Sequence, residues 1–185
     1  GNREIGDRDT PAVMGDVKHP PFLAIACACY WRHLNAEAFA LGVAGMVFDC
    51  DLNAAVSRAT SQFQRFLGVP DNQIDGDIGP ATLSAFHIAS PHALAAFVSR
   101  PWAELLQQDL GVSPDGAIGP VTLEAIARQG SLGAWRRLIV YALASRQEGA
   151  YRSFKGFAVN GTGWLNRLSW RVRASLADLD GGAAP

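Results

Sequence analysis

An internal repeat constrains the fold of this chain more than any other feature. Residues 75–85 read DGDIGPATLSA and residues 115–125 read DGAIGPVTLEA, so eight of the eleven positions are identical. A related segment precedes each copy, in which an apolar residue and a glutamine are followed by Leu-Gly-Val at 67–69 and at 110–112. Because a repeat of this kind marks a repeated unit of structure, we expect one supersecondary unit to occur twice.

The residues of this unit predict a helix, a stop, a tight turn and a second helix. Gly68 and Gly111 can adopt the left-handed conformation that ends a helix. The Asp-Gly pair favours a tight turn, through the Asp side chain and the permissive glycine. Pro80 and Pro120 suit the first turn of the following helix, where a missing N–H costs nothing. Each copy therefore predicts a helical hairpin.

Hydrophobic periodicity predicts helices along the rest of the chain. The predicted helices cover 22–34, 36–49, a segment capped by Asp51 or Asn53 that ends near Gly68, and then 80–88, 91–110, 120–128, 131–154 and 163–178. No segment alternates with period two over the length of a strand, so we expect an all-α fold. The predicted organisation is an N-terminal arm at 1–20, a single helical domain at 21–179 that contains the repeats 54–88 and 100–128, and a flexible tail at 180–185.

Composition excludes several classes of protein. Hydrophobic residues make up 49% of the chain and charged residues 18%, which is typical of a globular domain. The net charge of −1, from 16 basic and 17 acidic residues, gives no electrostatic attraction to nucleic acid or to an acidic membrane. No apolar run reaches the roughly 18 to 20 residues that span a bilayer, so we expect no membrane insertion.

Cysteine and histidine usage indicates neither a disulfide framework nor a metal site. The three cysteines are an odd number, and we interpret them as small core residues. None of the four histidines stands at metal-ligand spacing, and no Ser-His-Asp or Cys-His arrangement is suggested. We expect a monomer without a cofactor. Three tryptophans are interpreted as core or helix-contact residues: Trp102, Trp135 and Trp170.

The first residues of the chain show no signal peptide, because no basic region is followed by an apolar one. A protein that acts outside the cell membrane would therefore need another route of export. The initial Gly1 is compatible with the alternative, in which the chain is a fragment of a longer protein.

The repeat closely resembles that of peptidoglycan-binding domains, whose signature contains Leu-Gln, Leu-Gly, Asp-Gly and Gly-Pro followed by Thr and Ala at the same spacing. The resemblance implies contact with the bacterial cell wall. A helical hairpin that only packs would carry the same glycines and prolines, so this alternative remains open.

A second resemblance extends over about residues 22–170. The elements are Tyr30-Trp31, then Phe48-Asp49 with Asn53, then the repeat, and then Gly163-Trp164-Leu165-Asn166-Arg167. In this order they resemble glycoside hydrolase family 108, which comprises phage endolysins and secretion-associated N-acetylmuramidases. The resemblance implies a lysozyme-like helical domain that carries two peptidoglycan-binding-like repeats, acts at the periplasm or cell wall and is encoded by a bacterium or a phage.

The resemblance also implies a set of substrate-binding residues, each with an open structural alternative. These residues are Tyr30, Trp31, Asp49, Asn53, Trp164, Asn166 and Arg167. The aromatic pair at 30–31 either lines a sugar groove or fills a gap in the core. Asp49 either orients a neighbour or caps the helix at Asn53. The Trp-Leu-Asn-Arg segment either contacts substrate or locks the last helix onto the rest of the domain.

Two departures from the family concern the catalytic residue and the repeat. The family's N-terminal Glu-Gly-Gly-Tyr segment, whose Glu is the presumed general acid, is not found here, and the repeat occurs twice where the family usually shows it once. Glycoside hydrolysis needs a protonated carboxyl to assist the leaving oxygen. The candidates are Glu4, whose surrounding residues are distantly similar to that segment, and Glu148 in Glu148-Gly149-Ala150-Tyr151. Each is otherwise an ordinary structural or solvated residue.

The sequence therefore predicts a peptidoglycan-directed protein of the endolysin class, either an N-acetylmuramidase or the C-terminal part of one. Peptidoglycan is the expected partner. Two alternatives remain: a peptidoglycan-binding module without activity of its own, and a structural component of a phage tail or secretion machine.

Overall fold

The computed structural model describes residues 31, 34–54, 56–129 and 132–181 of the chain. Within these ranges it is all-helical and contains no strand. The α-helices are α1 Leu41–Ala54, α2 Val56–Phe66, α3 Pro80–Ile88, α4 Pro91–Ala95, α5 Arg100–Asp109, α6 Pro120–Arg128, α7 Leu132–Ser153 and α8 Phe157–Leu179. Short 3-10 helices lie at Ala36–Ala38 and Asp71–Gln73. The predicted all-α class is confirmed.

Helix α7 lies at the centre of the fold and packs against α1, α4, α5, α6 and α8. Residues 138–145 are buried at every position, because this stretch is apolar around almost the whole helix. Helix α2 shows the opposite pattern. Phe63 and Phe66 are buried on one side of it, while Gln62 and Arg65 face solvent on the other.

The close approach of α1 and α8 depends on a small residue in α1. A Cβ atom at Gly42 would overlap the backbone oxygen of Ser175 in α8 and would lie 2.9 Å from a Leu179 side-chain carbon. Glycine therefore lets the two helix backbones approach more closely than any larger residue would. This packing brings the inward face of α1, including Asp49, against α7 and α8.

The two helix stops of the repeat have the predicted geometry. Gly68 and Gly111 have φ angles of 78° and 69°, in the left-handed region. After α2, the Gly68 N–H donates to the Arg65 carbonyl at 3.1 Å and the Val69 N–H donates to the Gln64 carbonyl at 3.0 Å. The second stop has the same pair of bonds, so both helices end in a Schellman motif. Prolines begin α3 and α6, as predicted.

Three predicted helix boundaries are wrong. The predicted helix 91–110 is two helices, α4 and α5, because Pro101 lies in the first turn of a new helix and cannot continue the previous one. The last helix begins at Phe157 rather than at 163, since packing of its aromatic residues outweighs the low helix propensity of Gly161 and Gly163.

The third error concerns the boundary between the second and third predicted helices. A 3-10 turn occupies Ala36–Ala38, and α1 begins only at Leu41. It then continues to Ala54, so the backbone of Asp51 and Asn53 lies inside α1 and neither residue caps a following helix. The predicted helix 22–34 lies outside the described residues except for its end.

Two of the three tryptophans interpreted as core or helix-contact residues are placed as predicted. Trp102 is buried, and Trp135 packs on Phe86 with ring centroids 4.9 Å apart. Trp170 is 51% exposed on α8, which excludes a place in the core.

Candidate functional site

A hydrogen-bond network centred on Gln64 closes the first copy of the repeat. The Gln64 side chain is 1% exposed, and its Nε2 donates to Asp75 Oδ1 at 2.6 Å and to the Asp77 carbonyl at 3.0 Å. Nε2 also lies 2.9 Å from Thr82 Oγ1, and Oε1 accepts from the Gly76 N–H at 2.9 Å. We call this set of bonds the latch. It ties α2 to the turn and to the first turn of α3.

The second copy repeats the latch bond for bond around Gln107. Its Nε2 donates to Asp115 Oδ1 at 2.6 Å and to the Ala117 carbonyl at 3.0 Å, and it lies 3.1 Å from Thr122 Oγ1. Its Oε1 accepts from the Gly116 N–H at 2.8 Å. One buried amide in each copy thus satisfies several groups of the turn that would otherwise lose their hydrogen bonds on burial.

The aspartates of the two latches are stabilised in their ionised form. The hydrogen bond from Gln64, followed by that from the Asp77 N–H, lowers the pKa of Asp75 below its usual value of 3.8. The Ala117 N–H and then Gln107 lower the pKa of Asp115 in the same way. Both carboxylates are therefore hydrogen-bond acceptors at neutral pH, which is the state that the turn requires.

A groove of about 430 Å³ lies on the first copy of the repeat, and we call it the repeat groove. It lies between the stop after α2, helix α3 and helix α4. Its lining is mostly apolar or small: Phe66, Leu67, Gly68, Val69, Pro70, Gln73, Ala81, Ser84, Ala85, Ile88, Ala89, Ser90, Ala93 and Leu94. Ile88 is 78% exposed at its edge. Ile88 therefore extends the apolar lining of the groove to the protein surface.

A second site is built around Asp49, one of the sequence-predicted residues. Asp49 is 3% exposed. Its Oδ1 pairs with Arg171 Nη1 at 2.7 Å, and its Oδ2 accepts from Gln147 Nε2 at 2.9 Å. Because the buried charge of Asp49 is paired with a partly buried arginine and each of its oxygens has a partner, Asp49 joins α1 to α7 and α8.

Tyr151 extends this cluster to two further predicted residues. Its hydroxyl oxygen lies 2.8 Å from Gln147 Nε2 and 3.3 Å from Arg167 Nη2. This contact, acting against partial burial, raises the pKa of Arg167. The Trp164 ring packs on Tyr151 with centroids 5.6 Å apart. The structure therefore gathers Asp49, Trp164 and Arg167 around two residues of α7.

A cavity of about 410 Å³ lies beside this cluster, and we call it the α7 cavity. It opens between α1, α2 and the C-terminal half of α7. Its lining combines apolar, amide, thiol and cationic side chains: Val47, Cys50, Gln62, Phe63, Arg65, Leu143, Arg146, Gln147, Ala150, Tyr151 and Phe154. The Cys50 thiol donates to Gln147 Oε1 at 3.3 Å. The volume lies within the range of about 300 to 1,000 Å³ that is usual for small-molecule sites.

The catalytic candidate Glu148 is engaged by neighbours on both oxygens. Oε2 accepts from the indole N–H of Trp102 at 2.7 Å, and Oε1 pairs with Arg152 at 2.6 Å. Its side chain is 17% exposed. A general acid must hold a proton toward the leaving oxygen, whereas this carboxylate accepts from donors on both sides. The geometry favours the structural alternative for Glu148, in which it joins α5 to α7.

The remaining predicted site residues are more scattered. Trp31 packs edge-on against Phe48, with ring centroids 5.8 Å apart, and this places it next to the α1 residue that precedes Asp49. Asn166 is exposed on α8 and is not part of the cluster. Glu4, Tyr30 and the side chain of Asn53 lie outside the described residues.

Sequence reasoning missed the residues that hold the cluster together. Gln147 and Tyr151 lie one turn apart on α7, and Arg171 lies on α8. A usable signal was present, because these polar residues occur on helix faces that are otherwise apolar, and buried polar groups need partners. The latch glutamines carry the same signal, since each occupies a buried position within the repeat.

Two kinds of feature are absent from the described ranges, a cluster of metal ligands and a membrane-spanning helix. No group of three or more His, Cys, Asp or Glu side chains there is arranged to hold a metal ion. Among these helices, none combines the length and the apolar character that crossing a bilayer requires.

Comparison with protein-family models, curated proteins and solved structures finds no match to this chain.

Proposed function

We propose that this chain is a peptidoglycan-directed protein of the endolysin class, and that its duplicated hairpin binds the cell wall. The observation that carries the proposal is the pair of matching latches, the first of which closes a hairpin whose helix stop and second helix line the repeat groove. The resemblance of the repeat to peptidoglycan-binding domains is the reason for proposing peptidoglycan as the ligand. On this proposal the architecture is lysozyme-like, and the two hairpins are peptidoglycan-binding-like repeats.

The repeat groove is the proposed contact surface for the wall polymer. Ile88 projects at its edge and is 78% exposed, so a charged side chain there changes the groove at little cost to the fold. Val121 on α6 is 64% exposed and lies outside the groove lining, which makes it a matched control. Both are branched apolar residues on helices that follow a latch.

The test is sedimentation of the purified chain with Gram-negative peptidoglycan sacculi. We expect Ile88→Asp to weaken binding about tenfold, through loss of apolar contact, and Val121→Asp to leave it unchanged. Equal binding by both variants and the unaltered chain would exclude the groove as the contact surface. A chain that does not sediment at all would overturn the binding function.

The finer proposal is that the protein is an N-acetylmuramidase, which cuts the bond between N-acetylmuramic acid and N-acetylglucosamine. The family resemblance supports it, and the general acid would be Glu4 or Glu148. Release of new reducing ends from sacculi, lost in Glu4→Gln or in Glu148→Gln, is the expected result. Sedimentation without release of muropeptides would leave a binding module. Neither sedimentation nor release would favour a structural component of a tail or secretion machine.

A further inference from the structure

Arg146 is a half-buried cation on the wall of the α7 cavity. Its guanidinium carbon lies 5.9 Å from the centroid of the Phe66 ring and 5.7 Å from that of Phe97. Burial is the main cause that lowers the pKa of Arg146; the interaction with Cys50 acts against it, and the nearby charge of Arg65 acts in the same direction as burial. The side chain is therefore held in place by aromatic contacts while its charge is unfavourably placed.

No carboxylate in the described ranges forms an ion pair with Arg146. Two other arginines of α7 show the usual arrangement, since Arg137 pairs with Asp109 at 3.3 Å and Arg152 pairs with Glu148 at 2.6 Å. Buried charges are normally paired, and an uncompensated one costs stability. The unpaired charge of Arg146 is explained if a bound anionic ligand forms the ion pair that the protein does not supply.

The rest of the cavity defines the ligand's chemistry. Arg65 is the second cation of the lining, and its own partner Asp71 is 3.8 Å away on the surface. The two guanidiniums repel each other, so an anion between them would be stabilised by both. The described residues of the lining include no Asp or Glu, and its remaining walls are mainly apolar side chains such as Phe63 and Leu143. Such a site favours one anionic group attached to a small apolar body.

We propose that the α7 cavity binds the terminal carboxylate of a short peptide with small apolar side chains, held by Arg146 with Arg65 at the rim. Arginine suits this role because its planar fork can donate two parallel hydrogen bonds to a carboxylate. The choice of peptide rests on the proposed function, since stem peptides of peptidoglycan end in alanines with a free carboxylate. The repeat groove and the α7 cavity would then bind different parts of one polymer.

The test is a titration of the full chain with N-acetyl-D-alanyl-D-alanine, followed by ¹H–¹⁵N NMR spectra. The same dipeptide with a C-terminal amide is the matched ligand without the charge. We expect the acid to shift the resonances of the cavity residues and the amide to bind about ten- to a hundredfold more weakly. Equal binding of acid and amide, or no binding of the acid, would overturn the proposal.

Two variants locate the site on the protein. Arg146→Gln is expected to weaken binding of the acid about ten- to a hundredfold, whereas Arg136→Gln, which removes the same charge from α7 outside the cavity lining, is expected to leave it unchanged. The NMR spectrum reports at once whether each variant is folded. If Arg146→Gln does not fold, the exposed Arg65→Gln gives the same test with an expected loss of several-fold. An unchanged affinity in the folded variant would remove the cavity as the site.

Inorganic phosphate serves as a probe for unselective anion binding. We expect it to compete with the dipeptide weakly, because it lacks the apolar body, and competition at equal affinity would overturn the peptide assignment. The sacculi assay separates this proposal from the proposed function. If the chain sediments with sacculi but does not bind the dipeptide, the cavity proposal alone fails. If it binds the dipeptide but does not sediment, the wall-binding function alone fails.

Discussion

The two copies of the repeat share their latch, their helix stop and their helix-starting proline, and they differ in what surrounds the hairpin. Gln64 and Gln107 make the same bonds, with matching distances that differ by at most 0.2 Å. Around the first latch lie a 3-10 helix, Asp71–Gln73, and the repeat groove. The first helix of the second copy is instead joined to α7, through Trp102 to Glu148 and Asp109 to Tyr141.

This difference separates what local chemistry determines from what packing determines. The turn residues and the buried glutamine are common to both copies, so they specify the hairpin. The outward residues are free to differ, and they determine whether a copy borders an open groove or is held against the central helix. On this basis the first copy is the better placed of the two for binding, and the second is the better anchored.

Loss of a latch glutamine is expected to give the largest effect. Gln64→Leu and Gln107→Leu should each lower the free energy of unfolding by about 2 to 4 kcal/mol, because several polar groups of the turn lose their partner. Urea unfolding measures the change. Gln62→Leu and Gln108→Leu, at exposed neighbouring positions, are the controls and should change stability by less than about 0.5 kcal/mol. If a latch variant lowers the free energy of unfolding no more than its control does, the stability of that copy does not depend on its buried amide.

The turn glycines should distinguish the copies. Gly76 and Gly116 have φ angles of 77° and 76°, so an alanine is strained in both. A Cβ at Gly76 would lie 2.6 Å from the hydroxyl oxygen of Ser57 and 3.1 Å from its backbone oxygen. At Gly116 the nearest atoms, at 2.5 to 3.1 Å, all belong to the side chains of Arg100 and Glu104, so no backbone has to move. We expect Gly76→Ala to cost about 2 to 3 kcal/mol and Gly116→Ala about 1 to 2 kcal/mol. Thermal unfolding compares them, and the reverse order would contradict this explanation.

The sequence predicted the local chemistry of the hairpins well and the long-range contacts poorly. Left-handed glycines and helix-starting prolines act within a few residues, so their positions can be read directly. The contact of Asp49 with Gln147 and that of Trp102 with Glu148 join residues far apart in the chain. Such pairs depend on how α7 packs against its neighbours, which no local pattern encodes. The late start predicted for α8 has the same cause, because aromatic packing outweighed its glycines.

A buried hydroxyl gives a smaller difference between the copies. Thr60 is 1% exposed in α2, and its Oγ1 has no hydrogen-bond partner among the described residues. The corresponding position of the second copy is Ala103, which is fully buried. We expect Thr60→Val to raise the free energy of unfolding by about 1 kcal/mol, since it keeps the shape and removes the unsatisfied group. Chemical denaturation tests this, and a destabilised variant would indicate that the hydroxyl has a partner.

The latch aspartates should give the smallest effect, because both side chains are exposed to solvent. Their pKa values are lowered in the folded protein, so the unfolded chain binds protons more readily. Their contribution to stability is therefore present above about pH 4 and is lost as the pH falls through the folded pKa values.

The double variant Asp75→Asn/Asp115→Asn tests this pH dependence. Its amide oxygens can still accept the turn hydrogen bonds, but its two substituted side chains take up no proton as the pH falls. We expect the urea midpoint of this double variant to fall less steeply than that of the unaltered chain below about pH 4, and each single variant to give an intermediate slope. Parallel curves for all four proteins would mean that the two latches hold their turns by geometry, with no contribution from the charge of the carboxylates.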